Sequence, residues 1–316
     1  MDKLIVKCVI CNTHHGDVTD VKAMWHMTPE ETAKEAKRAH DTGAPVIHFH
    51  EPWKDGKAMG LAGWQEAAKL IRETAGDVII EHGQGGMPYS VNAAGNIASR
   101  KERDPKNDLK VEHANGTEMM VTSLGMIDHN MLGPDGIFMD ESIDSVVSSN
   151  TRRMLESNVR YYRECGVKPR METFGNPGPF RNLEWLAARK AVDPPYCVTW
   201  NFGMHGIVGD PADIEYLKLR IAAIPERVKG DLNAECSVYS AGWPRLMIYS
   251  YAISLGYHIR LGMEDLPYIW EDVVAKNNAE LIEPVVQLAK LYHREIATSD
   301  ETRAMYKIPK AYPGKK

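Results

Sequence analysis

Strand-like and helix-like segments alternate along nearly the whole chain, and this alternation constrains the fold more than any other feature of the sequence. Apolar, β-branched runs such as Leu4–Cys11 and Tyr196–Phe202 are typical of buried strands. Helix signals lie between such runs. The clearest is Thr28-Pro29-Glu30-Glu31, because Thr28 suits the N-cap and Glu31 completes a capping box. Strands that alternate with helices in this way predict parallel βαβ units.

Eight strands are predicted, with helices between most of them. They are Leu4–Cys11, Pro45–His50, Asp77–His82, Glu118–Ser123, Lys168–Phe174, Tyr196–Phe202, Asn233–Val238 and Tyr257–Gly262. Eight such units favour an α/β fold, a (β/α)8 TIM barrel, in a single domain that covers residues 1–316. Residues 83–117 are predicted to form an extended polar loop, and residues from about 304 to 316 a C-terminal tail. We expect Asp210-Pro211 to cap the helix that follows the sixth strand.

Composition narrows the classes of function. The chain has 316 residues, of which 43% are hydrophobic and 26% charged, and a formal net charge of -5. This is the balance of an ordinary globular protein, and it argues against a dedicated nucleic-acid binder, which would carry a basic patch. No run approaches the ~18 consecutive apolar residues of a membrane helix. Five cysteines, with no secretion signal at the start, lead us to expect a protein of the reducing cytoplasm.

The second predicted strand ends in a pair of histidines. TIM-barrel active sites lie at the C-terminal ends of the strands, so polar residues there indicate chemistry. Side chains alternate along a strand, so His48 and His50 project from the same face. Two neighbouring imidazoles can supply two of the ligands of zinc or a similar divalent metal. The alternative interpretation is a pair of hydrogen-bonded histidines in the core.

The eighth predicted strand carries charges that a barrel interior must pair or use. Its alternation places His258, Arg260 and Glu264 on one side. Glu264 is a candidate third metal ligand. Asp265, one residue further along, is a candidate base that Arg260 orients. A purely structural salt bridge is the alternative interpretation.

Three further segments offer weaker candidates. Glycines in the segment Glu81–Gly86, after the third strand, expose backbone N–H groups that suit an anion. Glu172 lies within the fifth strand and is expected near the mouth, where it contacts substrate or forms a structural ion pair. His14 follows the first strand and is expected to face the same mouth.

These segments together resemble the β-keto acid cleavage enzymes over most of the chain, from about residue 4 to residue 303. Thr28–Glu31 matches the family's T-P-E-E helix start. Val46–His50 is similar to its V-I-H-L-H strand, and Arg260–Asp265 to its R-x-G-x-E-D segment. The last two motifs are specific in combination, whereas each alone is not.

The resemblance implies a TIM barrel that binds one zinc per chain, or another divalent metal, through His48, His50 and Glu264. It implies that the β-keto acid condenses with acetyl-CoA to give acetoacetate and a new acyl-CoA. Asp265 would be the base in this reaction, and Arg260 its orienting partner. The resemblance also implies a homo-oligomer, with a tetramer favoured, and no nucleic-acid or membrane partner.

The resemblance also implies where the substrate binds. The family's contacts to the substrate carboxylate fall here on Gly83, Gly86 and Ser123, and the family's S-T-G-G is Gly83-Gln84-Gly85-Gly86. His14 stands where the namesake, 3-keto-5-aminohexanoate cleavage enzyme, has an acidic residue for an amino group. We therefore predict no preference for that amino substrate. A neutral or anionic keto acid fits better.

Two other functions remain open from the sequence. Amidohydrolase-type barrels also combine H-x-H with an acid on strand eight, but their H-x-H lies on strand one, whereas a strand and a helix precede His48. The second open function is that of a non-catalytic metal-binding protein or small-molecule sensor. A barrel without catalytic activity has no chemical need for the base Asp265.

Overall fold

In the computed structural model, eight parallel strands form a closed barrel. The structure describes residues 2–10, 27–83, 89–92, 97–98, 116–125, 127–129, 143–148, 150–175, 178–204, 207 and 209–308. The barrel strands are β1 (Val6–Val9), β2 (Val46–Phe49), β3 (Ile79–His82), β4 (Met119–Ser123), β5 (Lys168–Thr173), β6 (Tyr196–Phe202), β7 (Leu232–Val238) and β8 (His258–Leu261). Their spatial order is β1-β8-β7-β6-β5-β4-β3-β2. The predicted TIM barrel is confirmed.

The described helices follow the strands along the chain. They are α1 (Pro29–Thr42), α2 (Gly60–Ala75), α3 (Arg152–Glu164), α4 (Gly178–Ala188), α5 (Ile214–Ala222), α6 (Trp243–Ser254), α7 (Asn278–Leu291) and α8 (Ser299–Tyr306), with a short turn of helix at Glu226–Lys229. The capping box of α1 is present as predicted, since Thr28 accepts from the Glu31 amide and Glu31 accepts from the Thr28 amide. None of the helices in the described part combines the length and apolar character that a bilayer crossing requires.

Alternation along each strand divides the core into an outer and an inner part. In β6, Val198, Trp200 and Phe202 belong to the large apolar cluster that also contains helix residues. A second cluster, which closes the N-terminal end of the barrel, combines residues at or near strand starts with residues of the C-terminal segment: Ile5, Val46, Ile79, Met119, Cys197, Ala297, Tyr306 and Ile308. The last helix, α8, therefore helps to seal this end, and its final residues lie in the segment predicted as a tail.

Two features differ from the sequence-based expectation. The residue that caps α5 is Asp213, whose side chain accepts from the Glu215 amide, and not Asp210. Asp210 is unavailable because it forms an ion pair with Arg220, at 2.6 Å between Oδ2 and Nε. Part of the predicted extended loop is also folded: residues 89–92 and 97–98 join 143–148 and 127–129 in a four-stranded antiparallel sheet.

His258 lies at the start of β8, so it belongs to the N-terminal end of the barrel and not to the mouth. Its Nδ1 accepts a hydrogen bond from the Ile5 amide at 3.1 Å, and the residue is 3% exposed. Burial, together with the positive charges of Arg294 and Arg170, holds the pKa of His258 well below 6.5. The native state therefore keeps this imidazole neutral.

We predict that His258 makes the protein sensitive to acid. Below about pH 6.5 the unfolded chain binds a proton at this residue that the folded chain excludes, so stability falls with decreasing pH by up to about 1.4 kcal/mol per pH unit. Above that pH His258 is neutral in both the folded and the unfolded chain, so its titration no longer lowers the free energy of unfolding. Urea unfolding of wild type and His258→Gln between pH 5 and pH 7.5 measures the difference. Equal pH slopes for the two proteins would contradict the prediction.

Candidate active site

Two histidines and one glutamate meet at the C-terminal mouth of the barrel. His48 Nε2 lies 3.2 Å from His50 Nε2, and His50 Nε2 lies 3.1 Å from Glu264 Oε1. One ligand atom from each residue can be chosen so that all three lie within 4.8 Å of one another. His48 and Glu264 are buried, at 2% and 4% exposure, while His50 is partly open to the mouth. The structure thus brings together the three residues that the sequence analysis nominated as ligands.

The hydrogen bonds of His48 show that the three residues fit a cation. His48 Nδ1 lies 3.0 Å from Glu81 Oε1, and because a carboxylate only accepts, Nδ1 carries the hydrogen of the neutral ring. The lone pair of Nε2 then points at His50 and Glu264. Two imidazole nitrogens and a carboxylate form a donor set that suits zinc and related divalent metals.

The same arrangement favours positive charge electrostatically. Burial by itself lowers the pKa of His48, but Glu264 and Glu81 outweigh it and raise this pKa to about 9. Burial would raise the pKa of Glu264, but His50 and His48 hold it well below 4.5. The site therefore holds a proton at neutral pH unless a metal cation displaces it.

A glycine lets the Glu264 turn approach the first strand. Gly262 has a φ of +152°, and a Cβ at this position would overlap the Val9 carbonyl oxygen. The Glu264 amide donates to that same oxygen at 3.2 Å, and the Asp265 amide donates to the Gly262 carbonyl at 3.1 Å. The turn fixes where both carboxylates lie. This explains the glycine of the R-x-G-x-E-D pattern.

A second glycine makes room for His50. A Cβ built on Gly83 would lie 2.6 Å from His50 Cε1 and 2.7 Å from its Nε2. Such distances are shorter than a carbon–carbon contact allows, so the imidazole of His50 occupies the space that a side chain at position 83 would take. Gly83 was nominated as a substrate contact, and its position against a ligand ring places it beside the metal residues.

Arg260 joins three carboxylates at the mouth. Its Nη2 lies 2.8 Å from Asp265 Oδ1 and 3.1 Å from Glu264 Oε1, and its Nη1 binds Glu172 Oε1. Arg260 is 3% exposed. Since a buried guanidinium is costly without partners, these contacts balance its charge. Of the two roles expected for Glu172, the structure shows the ion pair, which it forms with Arg260.

The candidate base Asp265 is held by several donors. Arg260 Nε lies 3.0 Å from Asp265 Oδ2, and Ser237 Oγ donates to the same oxygen at 2.5 Å. Asp265 is 2% exposed. Its orientation is therefore fixed from two sides. Ser237 was not nominated from the sequence, although a polar residue just before the end of a predicted strand is a signal for a mouth position.

Asn201 and Tyr239 also belong to the mouth and were not nominated. The Tyr239 hydroxyl lies 3.5 Å from Asn201 Oδ1, and both residues are 2% exposed. Burial raises the pKa of Tyr239 well above 10, and the nearby Asp265 raises it further, so the hydroxyl stays protonated. Asn201 Nδ2 has no hydrogen-bond partner among the described residues.

The remaining candidates fall into two groups. Ser123 ends β4, is 9% exposed and stands opposite Glu172 in the parallel register of β4 and β5. His14 and Gly86 lie outside the described residues.

Comparison with known proteins shows similarity to one family over most of the chain. The sequence profile of a family described as beta-keto acid cleavage enzyme matches residues 7–308. A 3-keto-5-aminohexanoate cleavage enzyme of Acetoanaerobium sticklandii is 31% identical over 312 residues, which cover 98% of this chain and 100% of that protein. A 3-dehydrocarnitine:acetyl-CoA trimethylamine transferase of Rhizobium meliloti is 25% identical and covers 98% of this chain and 97% of that protein.

The fold is also shared with a solved structure. A ternary complex of ObcA with a C4-CoA adduct and oxalate superposes with a TM-score of 0.62 and 14% sequence identity. The match covers 89% of this chain and 67% of that one. At this identity the likeness extends to the barrel architecture alone.

In this chain, where Gly83 replaces the serine of the family's S-T-G-G and the His50 ring lies against it, we predict that an added Cβ at position 83 weakens metal binding. Gly83→Ala would push the His50 ring out of place, because the new Cβ would lie 2.6 Å from Cε1. The affinity for Zn²⁺, measured by competition with a chromophoric chelator, should fall by about tenfold or more. Gly230→Ala is the matched control, since a Cβ there meets nothing within 4 Å. Unchanged affinity in Gly83→Ala would contradict the prediction.

Proposed function

Because the chain belongs to the β-keto acid cleavage enzyme family and is a carbon–carbon bond-cleaving enzyme, we propose that it condenses a β-keto acid with acetyl-CoA in a zinc-dependent reaction. The products are acetoacetate and a new acyl-CoA. The observation that carries the proposal is the convergence of His48, His50 and Glu264 beside the Arg260–Asp265 pair. A carboxylate held next to a metal-ligand set suits proton abstraction from a carbon acid.

The proposed roles follow from the contacts. A divalent metal bound by the three ligands would act as a Lewis acid toward the ketone of the β-keto acid. Asp265 accepts the proton that is removed to form the carbon nucleophile. Arg260 and Ser237 keep Asp265 in one orientation through hydrogen bonds of 2.8 and 2.5 Å. Since Asp265 is almost fully buried, solvent does not compete for this base.

Acetyl-CoA is the proposed second substrate. The name of the relative from Rhizobium meliloti includes acetyl-CoA, and that protein aligns with 98% of this chain. Among the described residues, the buried amide Nδ2 of Asn201 offers an unused hydrogen-bond donor at the mouth. A donor of this kind suits a carbonyl oxygen that gains negative charge during acyl transfer.

A neutral or anionic β-keto acid is the proposed first substrate. Its carboxylate would meet Gly83, Gly86 and Ser123, the positions that match the family's carboxylate contacts. His14 occupies the position that holds the amino group in the namesake of the family. An imidazole cannot replace a carboxylate as the partner of a cation, so the amino substrate loses its ion pair here.

The activity can be tested with a panel of β-keto acids of different charge. Zinc-loaded protein, acetyl-CoA and each keto acid should yield acetoacetate. We expect kcat/KM for the neutral or anionic compounds to exceed that for 3-keto-5-aminohexanoate by more than about tenfold, because the cation has no carboxylate partner. A clear preference for the amino compound would contradict the substrate assignment.

Two variants serve as controls in this assay. His48→Ala removes a metal ligand, whereas Asp265→Asn removes the base and leaves the three ligands in place. Both should form no acetoacetate, but only Asp265→Asn should still bind zinc. Should wild type bind zinc yet give no acetoacetate with any keto acid, the proposed reaction is wrong, and hydrolysis without CoA becomes the next reaction to assay.

We also propose a homo-oligomer, with a tetramer favoured. Helix α6 and the residue that follows it carry exposed apolar side chains: Trp243 and Met247, four residues apart, and Leu255, which are 63%, 47% and 46% exposed. Exposed apolar surface of this kind is typical of a contact between subunits. A single-chain mass by light scattering would contradict this proposal.

The proposed location is the cytoplasm. Cys8, Cys165, Cys197 and Cys236, the cysteines of the described part, are free thiols, as expected in a reducing compartment. Recovery of the native protein in a secreted fraction would contradict the assignment.

A further inference from the structure

One layer of the barrel interior is charged where such layers are usually apolar. Its members come from β1, β3, β5 and β7 and are Lys7, Glu81, Arg170 and Glu235. Alternate strands supply the four side chains of a layer in a TIM barrel, so these residues form one complete layer. All four are fully buried, and their charges alternate in sign around the layer.

The four side chains form a closed ring of ion pairs. Lys7 Nζ lies 2.6 Å from Glu81 Oε1 and 2.5 Å from Glu235 Oε1. Arg170 lies 3.3 Å from Glu81 Oε2 through Nε, and 3.5 Å from Glu235 Oε2 through Nη2. Each carboxylate is therefore held by two cations. Neither carboxylate can turn away without leaving a buried charge unpaired, which is strongly unfavourable.

The two carboxylates differ in their third contact. Glu81 Oε1 lies 3.0 Å from Nδ1 of His48. Glu235 Oε1 instead accepts from the Thr199 hydroxyl at 2.6 Å. One carboxylate of the ring thus faces a residue of the metal-ligand set, and the other faces a strand hydroxyl.

We propose that Glu81, fixed by the ion-pair ring, is the positioning residue that holds His48 with Nδ1 protonated and Nε2 available for the metal. The inference rests on the proposed metal site. An ionised carboxylate accepts hydrogen bonds and donates none, so it selects one tautomer and one ring orientation of His48. Partners of this kind also increase the basicity of the ligating nitrogen.

Closure of the barrel does not by itself explain the ring. Apolar residues of similar volume fill such layers without the cost of desolvating four charges. A ring of alternating charges does something that apolar residues cannot, because it immobilises an ionised carboxylate beneath the mouth. Lys7 and Arg170 act on His48 only through Glu81.

Two matched variants separate positioning from stability. Glu81→Gln and Glu235→Gln each remove one carboxylate from between the same two cations, so both should lower the melting temperature of the metal-free protein. Only Glu81→Gln alters the partner of His48. We expect its Zn²⁺ affinity, measured by chelator competition, to fall by about 10–100-fold, and that of Glu235→Gln to stay within about threefold of wild type.

The outcomes distinguish this inference from the proposed function. If wild type binds zinc and both variants bind it equally well, or lose it equally, Glu81 has no positioning role and the metal site stands. If wild type binds no divalent metal, the metal assignment itself is wrong. Affinity lost only in Glu81→Gln supports the inference.

A measurement on wild type covers the case in which Glu81→Gln does not fold. In the zinc-loaded protein, ¹⁵N shifts of the imidazole nitrogens identify which nitrogen of His48 bears hydrogen. We expect a protonated Nδ1 and a metal-bound Nε2. Ligation through Nδ1, or a His48 ring in exchange between tautomers, would overturn the inference.

Discussion

Charge enclosed in a barrel of parallel strands must be paired, and the arrangement of the whole mouth depends on how this chain pairs it. The pairs form a continuous path. Lys7 and Arg170 hold Glu81, which contacts His48. His48 lies beside Glu264, and Glu264 shares Arg260 with Asp265. A change in one of these groups leaves its neighbour with an unbalanced charge in a medium of low dielectric constant. The positions of the metal ligands and of the base Asp265 are therefore coupled.

Two close approaches of the backbone give this electrostatic arrangement its geometry. The absence of a side chain at Gly262 brings the turn that carries Glu264 and Asp265 against β1. The absence of one at Gly83 leaves space for the His50 ring. Sealing of the opposite end by Tyr306 and its apolar neighbours leaves the C-terminal end as the side from which substrate reaches these groups.

The sequence predicts the barrel well because each strand has a local signal. Seven of the eight observed strands lie within their predicted bounds, and β7 begins one residue earlier, at Leu232. His48, His50 and Glu264 could be nominated because their spacing, strand period and family resemblance agree. The family match then decides between the open alternatives, in favour of a carbon–carbon bond-cleaving enzyme over a hydrolase or a metal sensor.

What the sequence does not predict depends on contacts between distant segments. The charges of the ring lie 228 positions apart from Lys7 to Glu235, and no local pattern relates them. The cap of α5 shifts from Asp210 to Asp213 because Arg220 binds Asp210. The four-stranded sheet pairs residues 89–92 with 143–148. Each segment is short, and neither one alone predicts the pairing.

X-ray absorption spectroscopy of the zinc-loaded protein identifies the atoms that hold the metal. We expect zinc held by two imidazole nitrogens and a carboxylate oxygen, with distances of about 2.0–2.2 Å. Zinc coordinated by sulfur at about 2.3 Å, or zinc without an imidazole signal, would place the metal elsewhere and contradict the proposed site at His48, His50 and Glu264.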